Sequence, residues 1–171
     1  MTFVDNARYN LSLIVSTLGG TDMSALSMIN EVGAKYLLVA AAGDLEQRTI
    51  GAIEHLFEQQ QTPEHLRNFV KKKALERQFH TMFDWKSKSA TSFFSLFGPA
   101  VKTKMAAFCK EDPHKEDLSA FLSIVAERNT MVHQGLAEYS LHYTLDEVYE
   151  LYRRSLGFVN LIKIGLVNPD N

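Results

Sequence analysis

The segment from about residue 23 to residue 60 constrains the fold more than any other part of the chain. Placed at 100° per residue, Val39, Ile50, Ile53 and Phe57 fall within about 60° of one another, the narrow apolar stripe that a helix buries. The same period dominates elsewhere. No stretch shows the sustained two-residue alternation between turn signals that marks a strand. The chain is therefore read as all-α.

Punctuation along the chain divides it into helices. A first helix is expected over about Asp5 to Leu18, stopped by Gly19-Gly20, with Asp22 a plausible cap for the next. If the long second helix breaks, Gly33 is where the break is expected. Thr62 caps a basic helix with Pro63 in its first position, running to about Phe79. The stretch 84 to 98 reads as a loop and a short apolar helix, and "PAVKTKMAAFCK" begins another. In the connection "EDPHKED", Asp112 and Asp117 are two possible caps for a helix from about Leu118 to Gly135. Thr144 and Glu147 have the spacing of a capping box, opening a last helix over about Leu145 to Gly165.

Composition bounds the function. With 171 residues, 46% of them hydrophobic and 22% charged, one sizeable core and a single domain spanning 1–171 are expected. The longest apolar run, Tyr36 to Gly43, is far short of the roughly 20 residues of a membrane span, and Asp5 and Arg8 interrupt the N-terminus where a signal peptide is apolar. A cytoplasmic protein with no membrane partner is expected. The lone Cys109 excludes an internal disulfide and is read as a small buried hydrophobe. The six histidines are scattered without metal-ligand spacing, and phosphate-cradling, zincin and serine-hydrolase motifs are absent, so neither metal nor cofactor is expected.

Charge is unevenly spread. The formal net charge is −2, yet residues 63 to 110 carry a balance of +7 and the remainder −9. A basic middle on an acidic body has the electrostatic footprint of an RNA- or DNA-binding track, with Lys71, Lys72, Lys73, Arg77, Lys86 and Lys88 its candidates; a merely solvated face is the alternative.

The stretch "AERNTMVHQG", Ala126 to Gly135, sets polar residues on an apolar face. On an ideal helix Asn129 falls inside the arc of Leu118, Phe121, Leu122, Val125 and Val132, with Arg128 and His133 at its edges. Polar groups so directed need partners. Two readings stay open. One is an internal network, with Asn129 bridging backbone groups, Arg128 paired to an acid and His133 at the helix C-terminus. The other is a phosphate site, in which the Arg fork grips phosphate oxygens and His moves protons. Arg128 and His133 lie about 140° apart on an ideal helix, so one copy does not make a compact pair. Glu46 interrupts the stripe of the long helix, whereas Asp44 shares its polar side, so Glu46 is the acid expected to meet Arg128 or Asn129, either positioning or neutralising the Arg.

Arg128-Asn129-x-x-x-His133 resembles the R-x4-6-H motif of the HEPN superfamily. "KYLLVAAAGDLEQRTIGAIEHLF" is similar to the long first bundle helix of its RiboL-PSP-HEPN group, with an acid at Glu46's position, and "VAERNTMVHQG" with "TLDEVYELYRRSLGFVNLI" is similar to that group's C-terminal half. The resemblance implies an up-and-down helical bundle with additional helices, dimerising so that the motif helices face one another. It further implies a metal-independent endoribonuclease of a prokaryotic toxin or phage-defence system, with RNA as substrate and a cognate antitoxin or defence partner. His133 would exchange protons with the ribose 2′-OH and leaving oxygen, Arg128 would stabilise the transition state, and Asn129 would orient the pair. A homodimer would build each composite site from an Arg and a His of both chains. HEPN toxins paired with nucleotidyltransferase antitoxins usually carry a tyrosine two residues after the His; Gly135 stands there, which disfavours that subgroup. A noncatalytic HEPN module binding RNA or a protein is the alternative, and a bundle with only a structural polar network a third.

Overall fold

The computed structural model describes residues 2–18, 23–85 and 87–167, with Leu18 and Arg77 described in backbone only. It is 81% helical, and no strand occurs among the described residues, which bears out the all-α class. In chain order the helices are α1 (Phe3–Leu18), α2 (Met23–Gln59), α3 (Glu64–Val70), α4 (Glu76–Met82), α5 (Thr91–Ser95), α6 (Pro99–Phe108), α7 (His114–Gln134) and α8 (Leu145–Val167). A π-helical turn, Lys71–Leu75, lies between α3 and α4. Contacts group the chain into two compact units, residues 1–44 with 123–153 and residues 45–122 with 154–171.

The first unit buries Val4, Ala7, Leu37, Leu38, Ala41, Ile124, Met131, Val148 and Tyr152. Gly33 does not break α2. A Cβ there would sit 3.2 Å from the Leu11 side chain, so the glycine serves a close approach to α1 inside a continuous helix. The expected capping box is present at the start of α8: the Thr144 N–H donates to the Glu147 carboxylate at 2.8 Å, and the Glu147 N–H donates back to Thr144 Oγ1 at 3.2 Å. The expected stop at Gly19-Gly20 and cap at Asp22 lie outside the described residues.

The second unit is built around aromatic rings. Phe83 stacks on Phe93 at 4.5 Å between centroids, Phe121 meets Phe158 at 4.9 Å, and Phe94 meets Phe158 edge-on at 6.2 Å. The expected basic helix from Pro63 to Phe79 is not one helix. Pro63 is itself the cap residue, with no side-chain capping bond, the π turn follows Val70, and Gln78 leaves helical geometry (φ −129°, ψ 15°). Further on, α7 begins at His114, four residues before the expected Leu118, so Asp117 lies inside its first turn and is not its cap. Cys109 is only partly buried, not the core residue expected.

α2 is long and apolar enough, by length and composition, to cross a bilayer, unlike what the short run Tyr36 to Gly43 suggested. The residues it buries, among them Leu37, Leu38, Ala41, Leu45 and Ile53, also suit a core helix.

Candidate functional site

Arg128 and Asn129 sit in the C-terminal third of α7, both half-buried, and the Arg128 guanidinium donates to Asn129 Oδ1 at 3.0 Å. This intrahelical bond fixes the amide so that its NH2 remains available as a donor beside the guanidinium. His133 lies in the last turn of the same helix and is exposed, as are its neighbours Val132 and Leu136, each at 54%. The buried side of this part of α7 passes through Ile124 and Met131, both fully buried, and Arg128 falls between them at helical spacing. Val132, expected in the apolar arc, is therefore on the outside.

Helix α7 stays helical to Gln134 and ends at Gly135, whose φ of 96° is a left-handed conformation that favours glycine at a helix C-terminus. The helix does not unwind to bring Arg128 and His133 onto one face, so the wide angle between them persists. Beyond Gly135 the chain folds back, and the Tyr139 hydroxyl donates to Glu127 Oε1 at 2.5 Å. That bond to a carboxylate, with desolvation, pushes the Tyr139 hydroxyl up to about 12. Tyr139 is thus a donor clamp on the turn below Arg128.

Of the remaining predicted site residues, Glu46 is half-buried and belongs to the second unit, whereas Arg128, Asn129 and His133 belong to the first. In the first unit Asp44, two residues before Glu46, accepts the hydroxyl of the buried Tyr152 at 2.7 Å. Asp44 was read as a polar-side residue; helical phase does not reveal that a tyrosine 108 residues away reaches it.

The basic candidates belong to the second unit. Lys72, Lys73 and Lys88 are exposed, Lys88 with φ 50°. Lys71 is engaged: its ammonium pairs with Glu54 at 2.8 Å, and that hydrogen bond raises its pKa. The Arg77 side chain and all of Lys86 lie outside the described residues.

Two charged pairs in the first unit went unremarked in the sequence. Arg8 pairs with Asp146 across 138 residues, a separation that leaves no local signal. Lys35, only 7% exposed, pairs with Glu31 at 2.9 Å; their i, i+4 spacing is legible, the burial of the lysine is not. No group of three or more His, Cys, Asp or Glu placed to hold a metal occurs among the described residues.

No family model matches this chain, and no curated protein and no solved structure matches it.

Proposed function

We propose that the chain is an endoribonuclease of the HEPN kind that cleaves RNA through the ribose 2′-OH without a metal, acting in the cytoplasm as a toxin or phage-defence effector. The observation that carries this reading is a half-buried Arg128, bonded to Asn129, five residues before an exposed His133 on the last turn of the same helix. In the reaction His133 takes the 2′-OH proton, the 2′-oxygen attacks phosphorus, and the 5′-oxygen leaves with a proton from a second histidine, giving a 2′,3′-cyclic phosphate and a 5′-OH end. Arg128 offsets the charge that gathers on the phosphorane oxygens.

The second histidine comes from a second copy of the chain. Val132 and Leu136 beside His133 are exposed, and α2 carries an exposed apolar stripe, Met28, Val32, Tyr36 and Val39, at spacings of four, four and three residues. Such spacing suits burial against another helix, and these apolar side chains support a homodimer with composite sites.

The same exposed apolar surface favours the second reading, a noncatalytic module that binds RNA or a protein partner. Incubation of the purified chain with structured RNA in EDTA separates the two. Cleavage that is lost in His133→Ala supports the nuclease; salt-dependent RNA binding with no cleavage moves the assignment to the binding module. A mixed dimer of Arg128→Ala and His133→Ala chains that is no more active than either mutant homodimer would remove the composite site.

A further inference from the structure

A cleft of about 520 Å³ lies in the first unit among α1, α2 and the segment entering α8, lined in part by Arg8, Ser16, Asn30, Glu31, His142 and Tyr143. None of these belongs to the Arg-Asn-His motif. We propose that this cleft takes one unstacked base of single-stranded RNA, guanine in preference to uracil. The proposal rests on the RNA-directed reading above and adds to it a source of sequence specificity.

The size suits a heterocycle, since small-molecule sites span about 300–1,000 Å³. The charges do not suit a bare phosphate. Arg8 is already paired with Asp146, which also lines the cleft, and Glu31 adds a second carboxylate. A neutral ligand avoids the repulsion that a phosphate would meet from both acids. Aromatic surface is at hand in His142, exposed, and Tyr143, half-buried; unstacked RNA bases bind on such rings.

The polar groups discriminate between bases. Lys35, buried beneath Glu31, holds one carboxylate oxygen at 2.9 Å, while the Glu31 side chain stays 56% exposed and keeps accepting capacity toward the cleft. The Arg8 guanidinium, partly exposed beside Asp146, lines the same cleft. Guanine matches this arrangement: its N1–H and N2–H2 donate to a carboxylate, and O6 accepts from the exposed part of the guanidinium. Uracil offers a carboxylate only its N3–H, with a carbonyl oxygen on either side of it.

The test titrates the chain with guanosine and uridine, nucleosides without phosphate, by calorimetry and by the ring-proton NMR signals of His142 and Tyr143. Guanosine is expected to bind at least about tenfold more tightly than uridine, near the lower end of what one good bidentate base contact is worth. It should move both ring signals. Glu31→Gln should erase the preference, and Tyr143→Ala should weaken both nucleosides. Because Glu31→Gln strips the buried Lys35 of its partner, Asp146→Asn, on a side chain 75% exposed, is the second variant, expected to lower the guanosine preference. Equal affinities, or no binding at millimolar nucleoside, overturn the proposal. RNA cleavage that persists alongside such a result leaves the nuclease standing and removes the pocket. Guanosine bound here by a chain that cleaves no RNA does the reverse.

Discussion

The hydroxyl of Tyr152, a fully buried ring on α8, donates to the Asp44 carboxylate on α2 at 2.7 Å. The bond satisfies a phenol that burial would otherwise leave without water, and its acceptor is a carboxylate oxygen. Tyr152→Phe keeps the ring and removes the donor, so it should cost about 1.5–3 kcal/mol, the range for hydrogen bonds to charged groups. Urea unfolding at pH 7 measures it. A midpoint equal to wild type would mean that Asp44 finds an equivalent donor elsewhere.

Two helical glycines should respond oppositely to alanine. Gly51 on α2 has nothing within 4 Å of an added Cβ, so Gly51→Ala should stabilise by about 0.5–1 kcal/mol through helix propensity and a less flexible unfolded chain. At Gly165 the Cβ would lie 2.4 Å from the sulfur of the fully buried Met105. Gly165→Ala should therefore destabilise by about 1–3 kcal/mol through overpacking. Paired denaturation curves decide both.

The capping box has a pH signature. The Thr144 N–H bond, followed by the Thr144 hydroxyl, holds Glu147 below its ordinary value of 4.5; at Asp5 the backbone bond from Thr2 leads in the same direction. A carboxyl lowered in the folded state contributes stability that is present above the unfolded pKa and lost as pH falls through the folded one. Thr144→Ala should lower the melting temperature by about 2–4 °C at pH 7, with the gap to wild type narrowing below pH 4.5. A gap that widens on acidification would contradict the assignment.

Asn129 touches Arg128 and acts through it, so the two variants should differ in kind. On the nuclease reading Arg128→Ala should lower kcat/KM for RNA about 100- to 1,000-fold, as for loss of one transition-state donor. Asn129→Ala should cost about tenfold, in kcat more than in KM, because it loosens the guanidinium without removing its charge. Equal losses would place Asn129 on the substrate itself.

Burial pushes the Cys109 thiol up to about 11. At pH 8 only about one thiol in a thousand is then ionised, so native Cys109 should alkylate with iodoacetamide at least about 100-fold more slowly than the urea-unfolded chain. Mass spectrometry over time measures the ratio.

Parts of this molecule that depend on near neighbours in sequence were legible before any coordinates. The Thr144 and Glu147 spacing announced a box that forms, and the period of residues 23 to 60 announced a helix ending at Gln59. Gly135 was legible as the end of the motif helix; its φ of 96° supplies the local reason, a left-handed helix end that other side chains would strain. The basic helix was misread because three consecutive lysines and good helix formers carry no mark of a π turn, which depends on how the flanking segments pack.

What the sequence by itself determined is the all-α class, most helix limits and the Arg128, Asn129, His133 spacing, because 3.6-residue periodicity and capping bonds act over three or four residues. Tertiary structure alone decided that Asp44 takes the buried tyrosine, that Lys35 lies beneath Glu31, that Arg8 finds Asp146, and that Val132 and His133 face outward. A helical wheel gives the direction of a side chain but not what stands opposite it. Those partners come from segments brought together only when the chain folds, and burial then fixes which polar groups must be paired.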